Sequence, residues 1–343
     1  MNNSFSHLLL NWYQSNHRDL PWRKTKDPYL VWISEIMLQQ TRIEAVKPYY
    51  ERFIKKSPNI ASLASIDENE LLKLWEGLGY YNRARNLKKA AIKIMEEHNG
   101  MFPRSYEEIM KLPGIGEYTA SAIASICFNE LTPVVDGNVL RVFTRVRQDY
   151  RNVDEASTKK AIRKELEKII PLESGDFNEA LMELGETICL VGEPKCKECP
   201  LKSFCKAFKN NSWRDLPVKE TKKAKKEKFY TVLLFIYKNK YALIQRKEEE
   251  MLSHLWQFPN IEKEMDEKKV INYLKKEHIS YQSIKKDISY KHVFSHQIWH
   301  MQAYKIELNS YLEGYIWCTI KEMQEKYAIP SAFQPFLASL CRK

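Results

Sequence analysis

The sequence predicts two domains, an all-α domain followed by an α+β domain. Its 343 residues exceed the length of a typical single domain and are sufficient for a large core. Up to about residue 210, apolar residues recur at three- and four-residue spacing between prolines and glycines, as in 69–74, 86–95 and 157–170. This periodicity predicts that residues 1–214 are helical.

A lysine-rich run follows the helical region. Residues 219–228 contain six lysines and two glutamates, and Ala224 is their only apolar residue. This composition is typical of an exposed linker, which we place at 215–228. A dedicated arm for binding nucleic acid is an alternative interpretation of the same charge, and we favour the connector.

From residue 229 the pattern changes to strands. Two strand-like runs, 229–237 and 241–246, flank a turn at Lys238-Asn239-Lys240. Two short helical patterns complete the region, at 270–276 and 335–340. Residues 229–343 are therefore predicted to form an α+β domain.

The segment 299–308 alternates apolar and polar residues, as a half-buried strand does. The alternation slips by one position near Ala303 and Tyr304. Such a slip predicts a β-bulge in this strand.

Composition indicates a polyanionic partner and an intracellular location. The chain has 55 Lys and Arg against 44 Asp and Glu, a formal net charge of +11. Its longest apolar run, 229–237, is too short to span a membrane, and its N-terminus lacks a cleavable signal pattern. Seven cysteines, four of them clustered, fit a metal site in a reducing cytoplasm better than disulfides.

A glycine hairpin is the strongest motif of the helical region. In Leu112-Pro113-Gly114-Ile115-Gly116, two glycines make a tight turn whose N–H groups remain free to hold a phosphate. A helix rich in small residues is predicted to follow at 117–127, so we place a helix-hairpin-helix at about 105–128. Asp136 lies downstream in Val134-Val135-Asp136-Gly137-Asn138. The hairpin with this spaced aspartate resembles the endonuclease III superfamily of base-excision DNA glycosylases.

Further strings narrow the resemblance to one family. Glu35 lies in Trp32-Ile33-Ser34-Glu35-Ile36-Met37-Leu38-Gln39-Gln40-Thr41, flanked by bulky apolar residues. This string resembles the active-site helix of the MutY-type adenine DNA glycosylases. The same family is matched by Leu20-Pro21-Trp22-Arg23, by Gly77-Leu78-Gly79-Tyr80-Tyr81 and by Phe177-Asn178-Glu179. The resemblance extends from about residue 5 to 210.

Two carboxylates are the predicted catalytic pair. Burial among apolar neighbours would raise the pKa of Glu35, so it could protonate adenine and then activate water. Asp136 would stabilise the cationic sugar, by its charge or by transient covalent bonding, and it could also cap the helix that begins near Val139. The resemblance implies that Tyr118 and Asn138 position Glu35, the water and the sugar.

The superfamily also contains lyases that carry a lysine in the helix after the hairpin. The corresponding position in this chain is Tyr118, which cannot form a Schiff base. We therefore expect a monofunctional glycosylase, although another lysine such as Lys111 could act adventitiously.

The resemblance also implies how DNA is held. A base inside a duplex must be flipped out before an enzyme can act on it. Gln40 and Tyr80 would wedge into the vacated stack, with Leu78 and Gly79 near the opposite base. Arg23 and Glu179 would line the adenine pocket. The remaining residues expected to contact DNA are Thr41, Gly114 and Gly116.

The clustered cysteines form a C-x6-C-x2-C-x5-C pattern within 189–205. Cys189, Cys196, Cys199 and Cys205 could close around a tetrahedral zinc ion or a cubane cluster. The spacing matches the [4Fe–4S] loop at the end of the helical domain in the same superfamily. We favour one [4Fe–4S] cluster with a structural or redox-modulating role.

The C-terminal region resembles the Nudix-derived domain of the same family. Leu255-Trp256-Gln257-Phe258-Pro259 is similar to the stretch before the Nudix box, but the glutamate-rich helix that holds magnesium is missing, so diphosphate hydrolysis is not expected. The resemblance implies that Phe294, Ser295 and His296 contact 8-oxoguanine. Ser295 could distinguish this base from guanine, because oxidation converts the acceptor N7 into a donor.

The sequence therefore predicts a cytoplasmic, bacterial-type enzyme that acts as a monomer on duplex DNA and removes adenine opposite 8-oxoguanine or guanine. The alternatives are a mismatch thymine or uracil glycosylase on the same helical fold and a lesion-binding protein without catalysis. His292, His296 and His300 lie four apart, but the strand pattern around them argues against a helical metal stripe.

Overall fold

The computed structural model describes residues 2–221, 224–248 and 250–342, with side chains from Phe5 onward. Lys222 and Lys223 of the predicted linker lie outside the described residues. The chain divides into two compact units. The first unit contains the residues up to Ser65 together with Asn86–Thr221, and the second unit contains Ile66–Arg85 together with the rest of the chain. Within the described ranges, no helix is long and apolar enough to cross a membrane.

The region before the linker is helical, as predicted. Its α-helices are α1 (Asn2–Asn16), α2 (Pro28–Leu38), α3 (Ile43–Lys56), α4 (Ile60–Ser65), α5 (Glu68–Leu74), α6 (Asn82–Glu97), α7 (Tyr106–Ile109), α8 (Glu117–Phe128), α9 (Gly137–Arg147), α10 (Ala156–Glu167), α11 (Ser174–Thr187) and α12 (Lys206–Lys209). The helix predicted at 157–170 ends earlier, at Glu167, because Pro171 disfavours helical geometry at the preceding residue.

Helix α8 packs closely against α11, as its small residues indicate. A Cβ atom added to Gly175 would lie 2.9 Å from the Cα of Ile126, so only glycine fits at this contact. Nearby, the buried Asn178 amide donates to Ser125 Oγ at 2.9 Å and to the Thr132 carbonyl at 2.9 Å. These bonds fix the extended segment that leads to Asp136.

The second unit is built on a mixed sheet. Its strands are β1 (Lys226–Tyr237), β2 (Lys240–Gln245), β3 (Trp256–Gln257), β4 (Asn260–Ile261), β5 (Tyr281–Val293), β6 (Gln297–Leu308) and β7 (Ile316–Cys318), and its remaining helices are α13 (Glu267–Lys276), α14 (Ile320–Lys326) and α15 (Gln334–Leu340). The strand order is β3-β2-β1-β6-β5, with β4 beside β1 and β7 beside β2. Strands β1 and β6 run parallel, whereas β5 and β6 are antiparallel.

The hairpin between β1 and β2 has the predicted turn. Lys238 and Asn239 both have positive φ, 48° and 59°, which is the backbone of a type I′ turn. Strand β1 begins at Lys226, so the last residues of the predicted linker belong to the sheet.

The β-bulge predicted near Ala303 is not in β6. Strand β6 pairs with β1 without a shift from Gln297 to Glu307. The irregularity lies in the neighbouring strand β5, between the pairs Lys286–Tyr304 and Ser289–Gln302. The slip in β6 arises because both faces of the sheet are covered: Ala303 packs in a core with α15, and Tyr304 packs in a core with α13. A strand whose buried side changes along its length therefore shows the same slip in residue alternation that a bulge would produce.

Candidate active site

Glu35 is buried in the middle of α2. Asp27 caps this helix by accepting from the Tyr29 N–H at 2.8 Å, and most of the helix is inaccessible to solvent. The Glu35 side chain is therefore enclosed, with 6% of the residue exposed. Burial raises the pKa of Glu35 to about 7, since the charged form loses its hydration. A carboxyl group with this pKa can give and take a proton near neutral pH.

Tyr118 contacts Glu35 directly. The Tyr118 hydroxyl lies on the first turn of α8 and donates to Glu35 Oε2 at 2.5 Å. This bond favours the carboxylate and partly opposes the effect of burial on the pKa of Glu35. Burial raises the pKa of Tyr118 well above its ordinary value, so the phenol remains a donor.

Asp136 is the N-cap of α9, and its carboxyl group is held at both oxygens. Oδ1 accepts from the Val139 N–H at 2.7 Å, and Oδ2 accepts from the Asn138 side-chain amide at 2.9 Å. Burial raises the pKa of Asp136, although these hydrogen bonds act in the opposite direction. The charges of Glu179 and Asp136 also raise the pKa of Glu35, so these three acids belong to one electrostatic group.

Arg23 and Glu179 are neighbours in the same unit. Arg23 Nε lies 3.7 Å from Glu179 Oε1, and the Tyr13 hydroxyl donates to Glu179 Oε2 at 3.0 Å. The side chains of Arg23 and Glu179 are 10% and 12% exposed. Burial raises the pKa of Glu179, which places a weakly acidic carboxyl group beside a guanidinium. The first unit thus groups Glu35, Tyr118, Asp136, Asn138, Arg23 and Glu179.

Sequence reasoning missed Glu183, one turn after Glu179 on α11. Its fully buried carboxylate accepts from Arg18 at 2.7 Å at each oxygen and from Arg23 at 2.8 Å. Burial alone would raise the pKa of Glu183, but the bonds from Arg18 and Arg23 outweigh it and lower the pKa to about 2. The four-residue spacing of two glutamates on one helix face was the available signal.

Arg141 was also missed, and it joins the site to the cysteine loop. Its Nη2 donates to Asn138 Oδ1 at 2.9 Å, and its Nε donates to the Cys189 carbonyl at 2.8 Å. Asn138 in turn donates to Asp136, so a continuous set of hydrogen bonds connects Asp136 with Cys189.

The four cysteines surround one apolar cavity of about 30 Å³. Cys199 and Cys205 lie among the apolar side chains of Val142, Leu184 and Leu201. Arg145 donates to Cys189 Sγ at 3.4 Å and brings a buried positive charge to the sulfur cluster. The soft donors, the apolar walls and this cation fit a thiolate-bound group. Among the described residues, no group of three or more His, Cys, Asp or Glu side chains is already placed to hold a metal ion.

The hairpin between α7 and α8 has the expected glycine geometry. Gly114 has φ of +74°, and a Cβ atom there would overlap the side chain of Asn86. Gly116 is the N-cap of α8, and a Cβ atom there would meet no atom within 4 Å. Gly114 is therefore required by backbone geometry, whereas the space at Gly116 is open on the surface.

Gln40 and Thr41 follow the end of α2. Gln40 is exposed and has φ of 58°, and the Thr41 N–H donates to the Leu38 carbonyl at 3.2 Å. The tight turn therefore presents the Gln40 side chain to solvent at the end of the helix that carries Glu35.

In the second unit, the loop that contains Leu78, Gly79 and Tyr80 projects an aromatic ring. Gly77, Gly79 and Tyr80 have φ of 100°, 71° and 47°, and Tyr80 is 49% exposed whereas Leu78 is buried. We refer to residues 77–81 as the 77–81 loop.

The residues Phe294, Ser295 and His296 form the connection between β5 and β6, which we call the 294–296 loop. Ser295 and His296 are exposed, and the Phe294 ring contacts Trp299 with centroids 4.8 Å apart. His292 and His300 lie on paired strands, opposite Trp299 and Lys291, so the histidines do not form a helical stripe. Helix α13, after Pro259, contains Glu267 but no glutamate-rich Nudix pattern.

Comparisons with known proteins match both units. The family model described as HhH-GPD superfamily base excision DNA repair protein matches residues 33–172, and a NUDIX domain model matches 231–339. The solved structure of a thermostable thymine-DNA glycosylase has a TM-score of 0.55 and 31% identity, covering 60% of this chain and 95% of that chain. A trapped endonuclease III–DNA covalent intermediate has a TM-score of 0.52 and 26% identity, over 60% of this chain and 94% of that chain.

The fold and the buried acids thus define a base-excision DNA repair protein with a helix-hairpin-helix. A protein named adenine DNA glycosylase from Buchnera aphidicola subsp. Acyrthosiphon pisum is 38% identical over 345 residues, covering 97% of this chain and 96% of the relative. The chain belongs to the adenine DNA glycosylase family.

Proposed function

We propose that this protein flips adenine out of duplex DNA, where it is paired with 8-oxoguanine or guanine, and hydrolyses its N-glycosidic bond. The observation that carries this proposal is the buried Glu35, whose pKa is raised to about 7 and whose carboxyl group is held by Tyr118. Family membership and the helix-hairpin-helix support DNA as the partner.

In the proposed reaction, protonated Glu35 transfers its proton to a ring nitrogen of adenine. The C1′–N bond then breaks, its electron pair leaves with adenine, and the sugar becomes an oxocarbenium ion. Asp136, fixed by Val139 and Asn138, stabilises the positive charge. The Glu35 carboxylate accepts a proton from water, the hydroxide adds to C1′, and an abasic sugar remains with Glu35 protonated again.

Two features support a monofunctional reaction. Tyr118 stands where lyases of the superfamily have a lysine, and its phenol is engaged with Glu35. Asp136 is a carboxylate, which can stabilise the sugar cation but cannot form a Schiff base. The strand is therefore expected to remain intact until alkali is added.

The exposed elements are proposed to bind the duplex. Gly114 and Gly116 would present backbone N–H groups to a phosphate, and Thr41 would contact DNA beside Gln40. Gln40 and Tyr80 would enter the stack, with Leu78 and Gly79 near the opposite base. Arg23 and Glu179 would line the adenine pocket, and Phe294, Ser295 and His296 would contact 8-oxoguanine.

We also propose that Cys189, Cys196, Cys199 and Cys205 hold one [4Fe–4S] cluster. The four cysteines surround one cavity, and Arg145 would offset the negative charge of thiolate ligands. Bound there, the cluster would supply a covalent cross-link between the end of α11 and α12. We further propose that the protein acts as a monomer in the cytoplasm.

Single-turnover cleavage of an adenine:8-oxoguanine duplex tests the proposed function. The wild type should release adenine and leave sites that break with alkali. Glu35→Gln should lose about a hundredfold to ten-thousandfold in rate, as expected for loss of a general acid, whereas Glu51→Gln on the exposed face of α3 should match the wild type. Absence of adenine release would contradict the proposal, and thymine:guanine and uracil:guanine duplexes in parallel would reveal the mismatch alternative.

A further inference from the structure

Glu76, which directly precedes the 77–81 loop, joins this loop to a part of the second unit that is distant in sequence. Helix α5 and this loop belong to the same compact unit as the sheet. Glu76 Oε1 accepts from the Ile329 N–H at 2.7 Å and from Gln334 Nε2 at 3.1 Å. Its Oε2 pairs with Lys73 Nζ at 2.6 Å. The side chain is 20% exposed, so these bonds are partly shielded from water.

Lys73 reinforces the same attachment. Its ammonium also donates to the Tyr327 carbonyl at 3.0 Å, so Lys73 and Glu76 together hold the segment 327–334. A backbone N–H and a backbone carbonyl of that segment are therefore satisfied by side chains from beside the loop. A partly buried polar network of this kind favours one arrangement, because each broken bond leaves a group unpaired or open to water.

The backbone of the 77–81 loop accepts hydrogen bonds from two nearby side chains. Trp75 is completely buried, and its Nε1 donates to the Gly79 carbonyl at 3.1 Å. Arg83 donates to the carbonyls of Leu78 and Gly79, both at 3.1 Å, and its guanidinium lies 5.6 Å from the Tyr80 ring centroid. Trp75, which precedes Glu76, and Arg83 thus hold the backbone just before Tyr80.

The segment held by Glu76 also packs toward the 294–296 loop. Ile329 and Phe333 belong to one buried cluster with Trp299, and the Phe333 and Trp299 centroids are 6.3 Å apart. Trp299 in turn contacts Phe294, with centroids 4.8 Å apart. A continuous set of packed side chains therefore connects Glu76 with the loop that carries Ser295.

We infer that Glu76 is a positioning residue for recognition of the base opposite adenine: it fixes the 77–81 loop relative to the 294–296 loop, so that Tyr80 and Ser295 engage one duplex together. The inference rests on the proposed function, since it assigns both loops to the opposite base. Glu76 contacts no reacting atom. Its loss should reduce discrimination between 8-oxoguanine and guanine rather than the chemistry at Glu35.

The test compares Glu76→Ala, Glu76→Gln and Glu325→Ala. Glu325 is exposed on α14 in the same unit, so its removal changes the net charge equally without touching the 327–334 segment. Affinity is measured for duplexes in which non-cleavable 2′-fluoro-adenosine lies opposite 8-oxoguanine or guanine. In Glu76→Ala, the preference for 8-oxoguanine should fall roughly threefold to thirtyfold, the range of couplings carried by packed networks.

Glu76→Gln should retain an intermediate preference, because its amide oxygen can still accept from the Ile329 N–H. Glu325→Ala should match the wild type. If Glu76→Ala proves too unstable to purify, the preference of Glu76→Gln decides the question. A wild-type preference retained in the Glu76 variants, or equal affinity of the wild type for both duplexes, would overturn the inference.

A double-mutant cycle with Ser295→Ala provides the second measurement. If the two loops act together, the losses of preference in Glu76→Ala and Ser295→Ala should be non-additive, and additive losses would contradict the inference. Cleavage of ordinary adenine duplexes by the wild type is scored separately. Failure of adenine release refutes the proposed function, whereas an unchanged binding preference refutes only the role of Glu76.

Discussion

The Tyr118 hydroxyl donates to Glu35 Oε2 across 2.5 Å, and the Glu35 side chain is buried. The bond joins the helix that follows the hairpin to the helix that carries the proposed acid. It favours the Glu35 carboxylate, whereas burial favours the neutral acid. Their balance gives Glu35 a pKa of about 7.

Tyr118→Phe should move the pH dependence of adenine excision to higher pH. Excision needs protonated Glu35, so the wild-type rate should decline above about pH 7. Removing the hydroxyl removes a bond that favours the carboxylate, so the pKa of Glu35 should rise further. Single-turnover rates from pH 5 to 9 would measure this shift, with Tyr150→Phe, an exposed tyrosine, as the control. A decline at lower pH in Tyr118→Phe would contradict the assignment.

Substitutions of Asp136 should separate its structural role from its chemical role. Asn can keep the N-cap bond to the Val139 N–H but turns an N–H donor toward the Asn138 amide, so Asp136→Asn should lose excision with a smaller loss of stability than Asp136→Ala. Asp136→Ala should lose excision and also about 1 kcal/mol of stability, the usual cost of a missing cap. Denaturant unfolding and single-turnover rates measure the two effects. Full activity of Asp136→Asn would refute a role for the negative charge.

Glycine should be required at Gly114 and dispensable for folding at Gly116. Gly114→Ala combines left-handed backbone with overlap of the Asn86 side chain, so it should cost about 1–2 kcal/mol or more. Gly116→Ala meets no neighbouring atom and should cost at most about 1 kcal/mol, since alanine is only a poorer N-cap than glycine. Equal unfolding midpoints of the two variants would contradict this difference.

Loss of a cysteine from the cavity should remove the proposed cluster. Burial raises the pKa of Cys199 to about 12, which is costly for a thiolate unless iron compensates the charge. Cys199→Ser should therefore lose iron and acid-labile sulfide and unfold at lower temperature. Cys341→Ser, at an exposed position, should retain the iron, the sulfide and the unfolding temperature of the wild type. Stoichiometric zinc in place of iron in the wild type would refute the [4Fe–4S] assignment.

Glu183 should contribute to stability in a pH-dependent way. Because Arg18 and Arg23 lower its pKa to about 2, its stabilising contribution is fully present above the ordinary pKa of 4.5 and is lost as pH falls toward 2. Glu183→Gln should be less stable at pH 7 and should show a weaker loss of stability on acidification. Thermal unfolding at several pH values would measure this, with Glu51→Gln as the control. The prediction would be contradicted if acidification lowered the thermal stability of the wild type and of Glu183→Gln by the same amount.

Several elements were predictable because their cause is local. The helix α8 follows from its hairpin, and the β1–β2 turn follows from Lys238-Asn239. The burial of Glu35 was predictable from its bulky neighbours in sequence. The glycine requirement at Gly114 was also predictable, since a turn with positive φ selects for glycine.

Other features depended on elements distant in sequence. The pairing of Glu183 with Arg18 and Arg23 joins positions separated by at least 160 residues. The bulge predicted in β6 was wrong because coverage of both sheet faces by separate helices changes the buried face at Ala303 and Tyr304. Residue alternation alone cannot distinguish such a change from an inserted residue.

The sequence by itself determined the helical and α+β regions, the hairpin, the two acids and the spacing of four cysteines, because local periodicity and motif spacing carry this information. Only the tertiary structure decided that Tyr118 meets Glu35, that Arg141 links Asn138 to the Cys189 carbonyl, and that Glu76 holds the 327–334 segment. Each of these contacts joins separate elements. The pKa of a buried acid and the position of a loop depend on side chains from distant parts of the sequence, and only the packing of the folded chain brings these together.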